Sequence, residues 1–270
     1  MPLPRRTAVA VISSATVAFA ILTGTVVARL PGLLRVDAAI SASAHRAATH
    51  STWVEVMAAI TATGSTMLLL PVVALGCLLL IVRGHWRQAV FVAVAMTATI
   101  ALRSLIVAAV GRPRPVDQMV AVSNFSFPSG HTAASAAAAT CLALVGATLL
   151  RQRGLRILLA VAAGAWAVTV GVSRVALVVH WPSDVLGSWL LVTAIVPAVA
   201  LLADLALPTV PSGTADPMDT RAPGRSKRQR TETVAGRWRS PCTRRVGSGR
   251  GDRGVTKVSP GGLFSEFSGR

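Results

Sequence analysis

Apolar residues run along this chain in long unbroken blocks, separated by short polar corners. The first block covers residues 8–28, just after Pro4-Arg5-Arg6. Further blocks cover 66–82, 88–110, 131–150, 157–179 and 184–207, and residues 53–64 form an apolar lead-in that breaks from the second block at Gly64-Ser65. A helix crosses the hydrocarbon of a bilayer with roughly 20 residues, so the pattern predicts an all-α, polytopic bundle of six transmembrane helices. The first block also has the flavour of a signal peptide. Its length, and the lack of a small-x-small site before a soluble domain, favour an uncleaved span.

The polar corners carry the orientation. Residues 29–52 mix Arg29, Arg35, Asp37, Arg46 and two histidines with apolar positions, and read as an outer loop with a short amphipathic helix. Arg5 and Arg6, then Arg83 and Arg87, then Arg151, Arg153 and Arg156 all fall on one side of the predicted bundle. Arginine-rich short loops stay in the cytoplasm, which predicts cytoplasmic termini in a multi-pass plasma-membrane protein. The opposite, outer face then receives "GRPRP" (111–115), "SFPSGH" (126–131) and "HWPSD" (180–184). Arg112 and Arg114 run against the charge trend there.

Composition agrees with the blocks. The 270 residues are 53% hydrophobic and 14% charged, with a mean hydropathy of +0.61, which excludes an ordinary soluble domain. The net charge of +17 is uneven: residues 1–207 hold 14 Arg, no Lys and 5 acidic residues, while 208–270 hold 13 basic and 5 acidic residues. This divides the chain into a membrane domain (1–207) and a basic, disordered cytoplasmic tail (208–270) rich in Pro, Gly, Ser and Arg. The tail suits solvent or an anionic membrane surface; no nucleic-acid partner is expected. Cys77, Cys141 and Cys242 have no metal-type spacing, and no metal or other cofactor is called for.

Three corners carry candidate chemistry. In "SFPSGH", Pro128 suits a first helical position, and the amides of Ser129, Gly130 and His131 would then lie open at a helix N-terminus, which is an anion site. His131 can donate a proton. The same residues also make a plain capped helix start with a structural histidine. In "SRVALVVHWPSD" (173–184), Arg174 lies inside an apolar span, where a guanidinium is expensive. His180 and Asp184 stand at i and i+4, so the carboxylate can hold Nδ1 and leave Nε2 as a nucleophile or base. A membrane-interface histidine capped by Asp184 is the alternative. In "GRPRP", two planar guanidinium forks held between prolines suit phosphate, or form a stiff solvated loop.

These motifs resemble the type 2 phosphatidic acid phosphatase family, which is related to the vanadium haloperoxidases. Its three motifs are Lys, six residues, then Arg-Pro; Pro-Ser-Gly-His; and Ser-Arg, five residues, His, three residues, Asp. The chain carries Arg114-Pro115, "PSGH" at 128–131 and "SRVALVVHWPSD" at 173–184. The likeness covers about residues 1–207. It implies a phosphatase that needs no metal: His180 attacks phosphorus, Asp184 orients it, His131 protonates the leaving group and then activates water, and Arg114, Arg174, Ser129 and Gly130 hold the phosphoryl oxygens. Arg112 is a further candidate for phosphate binding.

One position departs from the family. Its lysine falls at Val107, and residues 1–207 contain no Lys. Arg103 lies one helical turn earlier on the same face and can reach the phosphate in its place, or snorkel to the outer interface. The implied substrate is a lipid phosphate at the outer leaflet, with phosphatidic acid, phosphatidylglycerol phosphate and undecaprenyl pyrophosphate all open. Composition rich in Ala, Arg and Val points to a bacterial cell envelope. Two other readings stand beside this one: vanadate-dependent halide oxidation, and a non-catalytic lipid-phosphate binder or transporter on the same scaffold. Oligomeric state has no signature in the sequence.

Overall fold

The computed structural model describes residues 4–48 and 50–206, which fold into α1 (Arg5–Val27), α2 (Pro31–Ala47), α3 (Ser51–Ala62), α4 (Thr66–Val82), α5 (Trp86–Val110), α6 (Gly130–Leu149), α7 (Arg153–Ala176) and α8 (Pro182–Ala206). Among the described residues, six stretches are long and apolar enough to cross a membrane: α1, α3 with α4, α5, α6, α7 and α8. The proposed tail from residue 208 lies outside the described residues.

α6 is the centre of the bundle and packs against α4, α5, α7 and α8, while α1 packs along α8. Its buried face is built from small residues, including Ala133, Ala136, Ala137 and Ala139. These meet Ala95 and Met96 of α5, Ala163 and Ala167 of α7, and Val192 and Val196 of α8. Small side chains let helix backbones approach closely, which is how helices gain packing where hydrocarbon surrounds them. α4 shows the opposite surface: Leu68, Leu70, Val72, Leu75, Leu78 and Leu79 are exposed, as suits a face turned to lipid.

Three departures from the sequence reading bear on the site, each for a local reason. α2 is a full helix of 17 residues, and its buried positions are polar, Asp37 and Ser41. Four residues apart, they share one face, which turns inward where Asp37 meets Arg112 and Ser183. α6 begins at Gly130 with Ser129 as N-cap, two residues after Pro128, because the Ser129 amide is taken by the carbonyl of Asp184 (3.3 Å). α7 stops at Ala176, short of residue 179. Val178 has φ +56°, a left-handed conformation that a β-branched residue enters only when its surroundings impose it. The chain thereby turns back over the end of α7 to deliver His180.

Candidate active site

The 126–131 corner is anchored before it does anything chemical. The Ser126 amide donates to the Arg112 carbonyl (2.9 Å) and its hydroxyl to the Pro113 carbonyl (3.2 Å). Fully buried Phe127 stacks on Phe19 of α1, with ring centroids 6.0 Å apart. The same ring lies so close to Gly187 that a Cβ there would come within 2.7 Å of it. The Ser188 hydroxyl donates to the carbonyls of Ser129 (2.9 Å) and Asp184 (2.8 Å). The start of α6 is therefore strapped to the start of α8, and neither end can shift alone.

α8 opens with a tight set of caps. Trp181 precedes Pro182, and its amide donates to Asp184 Oδ2 (2.9 Å), a reach-back from the third helical residue like that of a capping box. The same oxygen faces His180 Nδ1 at 3.3 Å. A carboxylate only accepts, so Nδ1 carries the hydrogen and Nε2 presents its lone pair. That lone pair faces Arg114 Nη1 at 3.0 Å, and guanidinium only donates, so both partners select one tautomer. His180 is buried, and burial pushes its pKa down to about 4, with Arg114 and Arg174 pushing the same way and Asp184 opposing. Near neutral pH the imidazole is uncharged and nucleophilic.

Arg114 is held on every side. Its Nε donates to the Asn124 carbonyl (2.7 Å), Nη1 to the Val179 carbonyl, and Nη2 to Asn124 Oδ1 and the Phe125 carbonyl (3.3 Å). Burial lowers its pKa from the ordinary arginine value, helped by Arg103 and resisted by Asp184. Arg112, two residues earlier, has a different fate. It donates to Asp37 Oδ2 (2.7 Å), Asp184 Oδ1 (2.6 Å) and the Ser183 hydroxyl (2.7 Å), with its guanidinium 5.6 Å from the Trp181 ring centroid.

A cavity of about 580 Å³ gathers the remaining candidates: Arg103, Arg114, Gly130, His131, Arg174 and His180 all line it, together with Thr61 and Thr66. Arg174 Nη1 donates to Thr61 Oγ1 (3.0 Å), while its buried Nε has no partner among the described residues. Arg103 points inward: Nε donates to the Pro128 carbonyl (3.1 Å), and its guanidinium lies over Gly130, where a Cβ would sit 3.2 Å from the guanidinium carbon. A side chain at Gly130 would crowd that guanidinium. No side chain caps the start of α6, so the amides of Gly130 and His131 have no intrahelical acceptor.

Ser129 and Arg112 stand apart from this wall; neither lines the cavity. The Ser129 hydroxyl accepts from Thr132 Oγ1 (3.0 Å) and its amide is spent on Asp184. Arg112 is held by two carboxylates and the Ser183 hydroxyl. Both were phosphate-binding candidates in the sequence, and both are tied instead to the scaffold behind the cavity.

Residues 88–206 match the model of the PAP2 superfamily. Among solved structures, a transmembrane PAP2-type phosphatidylglycerolphosphate phosphatase from Bacillus subtilis is similar at 27% identity and a TM-score of 0.66, over 74% of this chain and 98% of that one. Both matches are to the PAP2 superfamily, to which the motifs at 114–115, 128–131 and 173–184 also point. No curated protein matches the chain. At Val107, where the motif quoted above has lysine, this chain has no cation, and Arg103 supplies one to the cavity wall.

Sequence reasoning missed Asp37. The residue is 1% exposed, and its Oδ1 accepts from the Ser183 amide (3.0 Å) while Oδ2 accepts from Arg112 and the Ser183 hydroxyl. It lies 75 positions before Arg112, so no local spacing announces it. The available signal was scarcity: only five acidic residues precede position 208, and a carboxylate inside a membrane protein needs a partner.

Proposed function

We propose that this membrane phosphatase hydrolyses a lipid-linked phosphate or diphosphate at the outer leaflet through a phospho-histidine at His180. The observation that carries this reading is the orientation of His180: one nitrogen faces Asp184 and the other faces Arg114 on the cavity side. The arriving phosphoryl group takes over the Arg114 Nη1 donor and uncovers the Nε2 lone pair. Nε2 then forms a bond to phosphorus as the ester P–O bond breaks, and His131 gives its proton to the departing alkoxide. Neutral His131 next takes a proton from water, whose oxygen bonds to phosphorus as the N–P bond breaks. Inorganic phosphate leaves, and both imidazoles return to their starting states.

The phosphoryl oxygens, which carry the transition-state charge, are held by Arg103, Arg114, Arg174 and the first amides of α6. A buried guanidinium N–H without a partner is costly, and the unpartnered Nε of Arg174 supports an anion in this cavity. Ser129, whose carbonyl and amide are tied to Ser188 and Asp184, fixes the helix end that presents those amides. Three guanidinium groups supply the charge neutralisation that phosphatases elsewhere draw from metal ions, and turnover proceeds in chelator. The lipid is bound with its headgroup in the cavity, whose mouth faces away from the arginine-rich loops at 83–87 and 151–156.

Phosphate release tests this reading, using phosphatidic acid, phosphatidylglycerol phosphate and undecaprenyl pyrophosphate in detergent micelles with excess EDTA. The wild-type protein is expected to release phosphate from at least one, and His180→Ala from none. Tight binding without release would instead make the chain a lipid-phosphate carrier, a reading that the missing lysine at Val107 favours.

A further inference from the structure

The Asp37–Arg112–Asp184 cluster lies behind His180, on the side away from the cavity. The Asp37 carboxylate reaches Arg112 Nη2 (2.7 Å), and Arg112 Nη1 reaches Asp184 Oδ1 (2.6 Å), while the other Asp184 oxygen faces the nucleophile. The side chains are 2%, 7% and 0% exposed, respectively. In so dry a place, charge is weakly screened, and each charge affects the next.

We infer that Asp37 is a positioning residue of the phosphotransfer step, which neutralises Arg112 so that the charge of Asp184 stays available to His180. This rests on the phosphatase reading above. When Nε2 bonds to phosphorus and Nδ1 keeps its hydrogen, the ring becomes cationic and remains so until the N–P bond breaks. Two carboxylates sharing one guanidinium leave a single net negative charge behind that ring. Without Asp37, Arg112 and Asp184 would cancel, and the cationic ring would form beside a neutral pair.

Asp37 also has an ordinary structural job, because its Oδ1 accepts from the Ser183 amide in the first turn of α8. The two roles separate by substitution. Asparagine caps a helix about as well as aspartate but carries no charge. Asp37→Asn therefore keeps the Oδ1 acceptor for the Ser183 amide and removes the charge, while its Nδ2 takes the place of the Oδ2 that accepts from Arg112 and the Ser183 hydroxyl.

The experiment measures kcat and KM for the full chain on the lipid that wild type turns over best, with thermal unfolding in micelles as the check on folding. Asp37→Asn is expected to lose roughly ten- to a hundredfold in kcat, the scale on which groups behind a reacting ligand act. KM and the unfolding midpoint are expected to change little. The double variant Asp37→Asn/Arg112→Gln restores one net negative charge and is expected to be at least about threefold faster than Asp37→Asn alone. An Asp37→Asn kcat within about twofold of wild type, a loss carried by KM alone, or a double variant no faster than the single one would overturn the inference. If Asp37→Asn does not fold, the double variant decides: turnover within about tenfold of wild type supports the charge account, and a folded but inactive double variant overturns it. His180→Ala, run alongside, isolates the premise, since full activity in that variant would sink the phosphatase reading itself.

Discussion

The first turn of α6 and its middle obey different rules. From Ala133 to Cys141 it presents small apolar side chains to α5, α7 and α8, and its partners need only matching volume. Its first turn is joined instead by named hydrogen bonds: Ser188 to the Ser129 carbonyl, Asp184 to the Ser129 amide and Arg103 to the Pro128 carbonyl. Volume holds the middle together; direction holds the end. Chemistry resides at the directed end because phosphoryl transfer depends mainly on placing charge at fixed points.

Each region should therefore fail in its own way. His180→Ala removes the attacking atom and is expected to lower kcat at least about 10⁴-fold with the fold intact, measured by phosphate release and thermal unfolding. Arg103→Ala removes one cation from the cavity wall and is expected to cost about 10²–10³ in kcat/KM. Adding Val107→Lys to Arg103→Ala places the family's lysine at its own position and is expected to recover a measurable part of that loss. Equal activity in Arg103→Ala and wild type would show that Arg103 does not serve the phosphate.

Arg114→Gln should show two effects. At neutral pH kcat/KM is expected to fall about 10²-fold, for want of one phosphoryl donor. The acid limb is expected to move as well. Attack needs neutral His180, whose pKa is brought down to about 4, chiefly by burial and with help from Arg114. The limb that His180 sets in wild-type kcat/KM therefore falls as pH drops through that value, whereas an unperturbed histidine would fail from about 6.5. Taking away the cation raises the His180 pKa, so the limb shifts to higher pH. The smallest catalytic effect belongs to the middle of α6. Ala137 is fully buried, and Ala137→Leu overfills its site at a cost of about 1–3 kcal/mol in stability, read as a lower unfolding midpoint with kcat per folded molecule unchanged.

The same contrast explains what could be read from the chain. The six spans follow from block length, and the i, i+4 spacing of His180 and Asp184 is a local signal in a corner between spans. Arg112 and Arg114 look alike in "GRPRP", and nothing local tells them apart. The difference comes from Asp37, whose helix passes beside the start of α8 and claims one guanidinium, while Asn124 and the backbone of 125 and 179 claim the other. The Ser129 amide was likewise spent by a carbonyl on another helix. The α7 boundary was misread because Val, Ala and Leu continue to residue 179, and the left-handed turn at Val178 is imposed by tertiary packing against residue preference.

The central claim is that phosphorus passes through the Nε2 of His180. Rapid mixing of the wild-type protein with a radiolabelled lipid phosphate, quenched in alkali and mapped by mass spectrometry, tests this most directly. The account predicts an acid-labile, base-stable phosphate on His180 that forms and decays at rates compatible with turnover, and that is missing from His180→Ala. Steady phosphate release with no label at His180, or release by His180→Ala at the wild-type rate, would contradict it.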